Sequence, residues 1–236
     1  MSGVNIPMPR EHLERIVRQV VRERLSRGVP AGGAGVVPYT PNLVVNVSAR
    51  HMHVRPDHLR KLFGPDAELT VFRWLYQPGE FAAEQTVTVF GPRKRMIERV
   101  RILGPARDYS QIEISFTDAI ALGIDAPVRP SGRIEGTPGC IVVGPAGVVE
   151  LPEGVIRAER HVHMSPMDAA YYGFHDKQYV KLRVESNCSM TFDRMLCRVD
   201  GRFLLEAHVD TDEGNACDLP NARSVELVAQ VSNLCQ

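Results

Sequence analysis

The sequence predicts a mainly β protein with short helices, of the α+β kind, in which two β-barrel domains related by an internal repeat share one site. Three observations carry this expectation. From Leu43 onward the chain breaks into many short β-like runs punctuated by Gly and Pro, a texture that favours small barrels over a doubly wound sheet. The segment Ser48-Ala-Arg-His-Met-His-Val-Arg-Pro56 returns, 110 residues later, as Ala158-Glu-Arg-His-Val-His-Met-Ser-Pro166. Each copy follows an apolar strand and precedes a helical turn ending near a glycine, Gly64 or Gly173.

At the N-terminus, Leu13, Ile16, Val17, Val20, Val21 and Leu25 fall on one stripe at helical spacing, with Arg and Glu on the other face. The expected helix runs from Pro9, a good first-turn residue, to Leu25. Residues 28–40 are rich in Gly and Pro and read as a linker, so the helix at 1–27 is a tethered segment suited to docking on a partner. The expected strands are Leu43–Ser48, Glu84–Phe90, Arg99–Leu103, Gln111–Ser115, Gly139–Val143, Val155–His163, Tyr179–Val184, Met195–Val199, Phe203–Val209 and Ser224–Val231. Brief helices are expected after the repeated motifs, at Pro56–Phe63 and Pro166–Tyr172.

Composition narrows the function. Lys+Arg equals Asp+Glu at 28 each, so no global field draws the chain to nucleic acid or a membrane surface, and any anion site is local. No apolar run approaches the roughly 20 residues that cross a bilayer, and the N-terminus has no signal-peptide core. The five cysteines are odd in number, irregularly spaced and without a C-x-x-C pair. Buried, inert thiols in a reducing compartment are the expectation for all five. The absence of Walker A and G-x-G-x-x-G patterns leaves kinase and Rossmann readings without support.

The chemistry centres on the histidines. On a strand, residues i and i+2 share a face, so His51 pairs with His53 and His161 with His163. Two such imidazole pairs in a repeated R-H-x-H frame suit a borderline-soft divalent ion, zinc first. Four imidazoles do not complete two sites, and His208 and Glu113 are candidates for the rest. His208 ends a strand that runs into an acidic turn; Glu113 alternates with Ile112 and Ile114, a pattern that equally fits a solvated strand face. His12, His58 and His175 fall outside such frames and read as surface or packing residues. Arg93, Lys94, Arg95, Arg99, Arg101 and Arg107 crowd one stretch, with Arg99 and Arg101 on one strand face, as a polyphosphate ligand would require.

Several of these segments together resemble a known family. They are Val47–His53, Gln77-Pro-Gly-Glu-Phe81, Val100-Arg-Ile-Leu-Gly-Pro-Ala-Arg107, Gln111–Ser115, Arg160–Met164 and His208-Val-Asp-Thr-Asp-Glu-Gly-Asn215. In order and number they are similar to the PduL-type phosphate propanoyltransferases of bacterial microcompartments. The resemblance implies two barrels, one at 41–49 plus 159–236 and the other inserted at 50–158, with a dinuclear zinc site between them. It implies one metal held by His51, His53 and Glu113, and a second by His161, His163 and His208. It also implies coenzyme A contacts at Ser48, Arg73, Arg101, Leu103, His208 and Asn215, with Arg107 as the catalytic cation. Arg73 stands where the family commonly has Lys, and Asn187-Cys188 replaces a Gly-containing stretch.

The activity implied is transfer of a propanoyl group between coenzyme A and phosphate in a microcompartment lumen. The helix at 1–27 would then be an encapsulation peptide for a shell or cargo protein. Acyl-CoA and phosphate are the expected partners, self-association is open, and neither nucleic acid nor a membrane is expected. No Cys lies in the motifs, which favours direct transfer over an acyl-enzyme. A dinuclear metallohydrolase and a closed zinc scaffold are the alternatives that the H-x-H pairs alone leave standing.

Overall fold

The structure is a computed structural model in which residues 39–230 are described. The expected helix Pro9–Leu25 lies outside them, as does nearly all of the expected linker. In chain order the first elements are β1 (Val44–Ser48), β2 (His51–His53), α1 (Pro56–Phe63), β3 (Val71–Trp74), β4 (Phe81–Phe90), β5 (Met96–Gly104), β6 (Gln111–Glu113) and α2 (Phe116–Leu122). Then come β7 (Val128–Arg129), β8 (Cys140–Val143), β9 (Val148–Leu151), β10 (Val155–Ala158), β11 (His161–Met164) and α3 (Pro166–Tyr172). The chain continues through β12 (Tyr179–Glu185), β13 (Met190–Val199), β14 (Glu206–Asp210), α4 (Thr211–Ala216), a 3-10 turn at Leu219–Asn221 and β15 (Ser224–Ala229). All of them lie in one compact unit that begins at Thr40.

The strands form two mixed sheets. One has the order β1–β14–β11–β13–β12–β15; the other runs β7–β10–β6–β2–β5–β4–β8–β9, with β3 added to β4. Neither hydrogen-bonded path returns to its first strand among the described residues. Each sheet encloses its own apolar cluster: Met52, Ile102, Ile112, Leu122 and Val142 in the larger, Val162, Leu182, Met195, Ala207 and Leu227 in the smaller. Mainly β architecture with short helices is therefore what the sequence folds into.

The chain changes sheet twice at the repeated motif. β1 belongs to the smaller sheet and β2 to the larger, joined only by Ala49 and Arg50; β10 belongs to the larger and β11 to the smaller, joined by Glu159 and Arg160. The single strand expected over Val155–His163 is thus two strands with a change of sheet between them. Both crossing arginines are tied to a helix: Arg50 to Asp118 of α2 at 3.0 Å, Arg160 to Glu213 of α4 at 2.6 Å.

The helices expected after the motifs occur at the expected residues. α1 starts on Pro56 and buries Leu59 and Leu62. α3 is held by a capping box between Ser165 and Asp168 and ends at Gly173, whose φ of 68° is the left-handed C-cap that glycine adopts without strain. Two further helices follow strands where no helix was expected. Ser115 caps α2, and Asp210 with Glu213 forms a capping box on α4, so the acidic stretch after His208 is a helix start rather than a turn. Thr117 N–H donates to Asp212 Oδ2 at 2.8 Å and links these two helices.

Of the cysteines, Cys140, Cys197 and Cys217 are buried, as expected, and burial pushes the first two thiols up to about 12. Cys188 departs from the expectation and is exposed, in the Asn187-Cys188 turn between β12 and β13. Cys235 lies outside the described residues. No helix among the described residues is long and apolar enough to cross a membrane.

Candidate functional site

The sheet register assembles the histidines. β2 lies antiparallel to β6 with His51 opposite Glu113, and parallel to β5 with His51 beside Arg101. β11 lies antiparallel to β14 with His161 opposite His208, and parallel to β13 with His161 beside Leu196. In both sheets, then, the first histidine of the H-x-H pair faces a third candidate ligand across one antiparallel ladder. The outcome is two groups, His51–His53–Glu113 and His161–His163–His208, in each of which one potential ligand atom per residue lies within 4.8 Å of the others.

Glu113 is not on a solvated face: Gln111 through Ser115 are all buried, with Glu113 7% exposed. Its Oε2 is 3.4 Å from His51 Nε2 and its Oε1 is 3.7 Å from His53 Nε2. Gln111 Nε2 and Ser131 Oγ both donate to Oε1, at 2.6 and 2.7 Å. Burial pushes the Glu113 carboxyl up, but His51, the Ser131 hydroxyl, His161 and Arg107 outweigh it and hold the group below its ordinary value. The carboxylate is the form present at neutral pH.

The rings are equally prepared. His51 Nδ1–H donates to the Ala49 carbonyl at 2.8 Å, and His161 Nδ1–H to the Glu159 carbonyl at 2.9 Å, so both offer Nε2 as the lone-pair atom. Burial lowers His53 well below the usual imidazole range, helped by His51 and Arg107. It does the same to His161, helped by His208 and His163. Burial pushes His163 down to about 3, with His208, Arg198 and Arg107 adding to it. His53 Nδ1, His163 Nδ1 and His208 Nε2 are buried without a hydrogen-bond partner. Imidazoles with unused nitrogens, two of the rings oriented through the far nitrogen by a carbonyl, and one ionised carboxylate are the donor set of a zinc-type ion. These residues fit such an ion in both groups.

Glu113 from the first group and His161 and His208 from the second line one cleft at the meeting of the sheets. It is lined by Ser48, His208, Val209 and Asp210 from the smaller sheet, Glu113 and Ile114 from the β6 segment, and Ala158, Glu159 and His161 at the second crossing. The Arg107 guanidinium influences His53, Glu113 and His163 together, so its charge is felt by both groups. Its NH1 donates to Tyr109 Oη at 2.8 Å and its NH2 to Glu80 Oε1 at 3.3 Å. The Val54 carbonyl, next to His53, accepts the Arg107 backbone N–H at 2.9 Å.

Of the expected coenzyme A contacts, Ser48 and His208 line this cleft. Ser48 Oγ is hydrogen-bonded to His208 Nδ1 at 3.1 Å. Arg73 and Leu103 flank Ala82 on neighbouring strands. Arg101 donates to the Ala83 carbonyl and lies 4.4 Å from the centre of the exposed Phe72 ring. Asn215 is exposed on α4, and Arg73 on the edge strand β3. His58, outside the groups, bonds Ser110 Oγ at 2.9 Å, a packing role.

A family model described as Phosphate propanoyltransferase matches residues 44–220. The chain belongs to the phosphate propanoyltransferase family. It is 52% identical over 229 residues to a phosphate propanoyltransferase of Planctopirus limnophila, covering 96% of this chain and 94% of that one. A phosphate propanoyltransferase of Thermotoga maritima is 51% identical over 189 residues, covering 80% and 90% respectively. One of Salmonella typhimurium is 42% identical over 215 residues, covering 91% and 95%.

Three residues around the groups escaped sequence reasoning: Gln111 and Ser131, which brace Glu113, and Glu206, whose Oε2 is 3.2 Å from His208 Nε2 but off the line of a hydrogen bond. Gln111 and Glu206 each stand two residues before a candidate ligand on the same strand, a same-face signal that could have found them. Ser131, 18 residues from Glu113, leaves no such trace.

Proposed function

We propose that this chain transfers a propanoyl group between coenzyme A and phosphate: propanoyl-CoA plus phosphate gives propanoyl phosphate plus CoA, and the reverse. Family membership supports the reaction. The observation that supports the site is the pair of ligand-ready groups, of which Glu113, His161 and His208 line one cleft, with the Arg107 charge reaching both groups. His51, His53 and Glu113 would hold one zinc ion, and His161, His163 and His208 a second. When bound, such ions supply Lewis acidity and neutralise phosphate charge.

The residues themselves have distinct tasks. Arg107, pre-oriented by Tyr109 and Glu80, binds a phosphate oxygen and stabilises negative charge as the carbonyl is attacked. Ser48, Arg73, Arg101, Leu103, His208 and Asn215 would contact coenzyme A, the arginines through its phosphates. Closing both substrates into one cleft lowers the entropic cost of their encounter. Transfer is direct, within a ternary complex: Cys140, Cys197 and Cys217 are buried with raised pKa values, Cys188 is exposed on the turn between β12 and β13, and among the described residues no thiol lines the cleft to form an acyl-enzyme.

The two sheets are also read as two related barrels, residues 50–158 inserted between 41–49 and 159–236; the matched registers of His51 with Glu113 and His161 with His208 support that division. A place in a bacterial microcompartment, with the 1–27 segment docking on shell or cargo protein, rests on the sequence resemblance. The experiment that tests the function measures CoA release from propanoyl-CoA with and without phosphate. Phosphate-dependent release that is lost in His51→Ala and His161→Ala is the expected result. Phosphate-independent release would identify a hydrolase, and no release a zinc scaffold.

A further inference from the structure

The group His161, His163 and His208 differs from its counterpart in containing no carboxylate. Three neutral rings would leave a divalent ion's charge uncompensated beside His163, which is 8% exposed, and an uncompensated buried charge is costly. Glu206 stands at that point. It precedes His208 by two residues on β14, so both side chains leave the same face. It is 3% exposed, and its Oε2 lies 3.2 Å from His208 Nε2.

Unusual care is taken with this carboxylate. Asn46 Nδ2 donates to Oε1 at 2.5 Å and Gln77 Nε2 to Oε2 at 2.7 Å. Gln77, itself buried, is locked in turn: its Nε2 donates to the Leu204 carbonyl at 2.9 Å, and its Oε1 accepts the Leu204 N–H at 3.1 Å. Gln77 comes from the turn before β4 in the larger sheet, so the clamp reaches from one sheet into the other. The first group has the same device with the chemistry exchanged. Gln111, two residues before Glu113, donates to the Glu113 carboxylate and is anchored by the Gly132 N–H at 2.8 Å. There an amide braces a carboxylate ligand; here a braced carboxylate stands 3.2 Å from an imidazole nitrogen.

We propose that Glu206, clamped by Gln77 and Asn46, is the positioning residue of His208 and the counter-charge of the three-histidine group. The inference rests on the metal-dependent reading above and names a residue that reading does not use. A fixed carboxylate beside the ligating nitrogen of an imidazole limits where the ring can turn and offsets the charge of an ion bound there. Each metal group then has one carboxylate, bound directly in the first and one residue removed in the second. The clamp also ties His208 to Arg107, because Glu80, on the same turn as Gln77, accepts from the Arg107 guanidinium.

The test is a zinc titration against a competing chromophoric chelator, on the full chain and on Glu206→Gln, Glu206→Asp and Gln77→Ala. Wild type is expected to bind two ions. Glu206→Gln keeps the size and removes the charge: one of the two affinities should fall about 10–100-fold while the other holds. Circular dichroism and the unfolding midpoint of the metal-free chain should stay as in wild type. Glu206→Asp restores the charge and should recover part of the loss, which a packing role would not produce. Gln77→Ala keeps the carboxylate but frees it, and should weaken the same ion less; it also serves if Glu206→Gln fails to fold. In metal-free protein, the ring 15N resonances of His208 should move in Glu206→Gln. Two wild-type affinities unchanged in Glu206→Gln and Gln77→Ala would overturn the inference alone. A wild-type chain that binds no zinc would overturn the functional reading, and the inference with it.

Discussion

Burial makes His163 a free base at neutral pH, with its pKa pushed down from 6.5 to about 3. An unfolded chain takes up that proton near 6.5, whereas the folded chain refuses it until about 3. Between those values the unfolded state binds more protons, so the stability carried by the neutral ring is complete above 6.5 and lost progressively toward 3. Chelator-treated protein should therefore lose at most about 5 kcal/mol from this residue on acidification. Urea unfolding of metal-free samples across that range checks it, and a flat profile contradicts it. Arg107 gives the second residue-scale expectation. Arg107→Ala should lower kcat about 10²–10³-fold. Arg107→Lys should recover only part, since an ammonium cannot reproduce the guanidinium fork toward phosphate, Tyr109 and Glu80. A near-native kcat in Arg107→Ala would remove it from the mechanism.

Among elements, α3 offers a control remote from the chemistry. Ser165→Ala removes the cap that accepts the Asp168 N–H and should cost about 1 kcal/mol. Gly173→Ala should cost about the same for a different reason: no atom lies within 4 Å of the added Cβ, so the penalty is the backbone's alone. Denaturant midpoints should fall in both variants while phosphate-dependent CoA release is retained; loss of activity at unchanged stability would tie α3 to the cleft.

The elements also show how far a sequence can be read. The i, i+2 spacing of the H-x-H pairs was visible because strand periodicity is local, and α1 and α3 were visible from their prolines and closing glycines. The pairing of His51 with Glu113 and His161 with His208 is a matter of register between distant segments, which periodicity does not encode; motif resemblance supplied those partners. α2 and α4, at seven and six residues, are too short to display a helical stripe. β3 escaped because all four of its residues are exposed, leaving no alternation. The break at Glu159–Arg160 escaped because an extended chain changing sheets looks like one continuous strand.

For the whole molecule, an ion that binds only the folded state adds stability by mass action, about 4 kcal/mol per site at 1,000 times its Kd. Chelation should therefore lower Tm, and added zinc should restore it. His51→Ala and His161→Ala should each abolish part of that shift, and the double variant all of it. Calorimetry with and without chelator decides; equal Tm values in wild type would argue against metal in the folded state.

The two crossings between sheets have a consequence for how the chain emerges from the ribosome. Every strand of the larger sheet has been synthesised once Ala158 is made, and with it His51, His53 and Glu113. The smaller sheet is in the opposite position. Its first strand, β1, has a single neighbour, β14, whose Glu206 pairs with Val44. At roughly 5–20 residues per second, β1 waits some 3–10 s after Ala158 before β14 is complete. The residues of one candidate ligand group are thus all present early in translation, while the other group waits for His208 near its end.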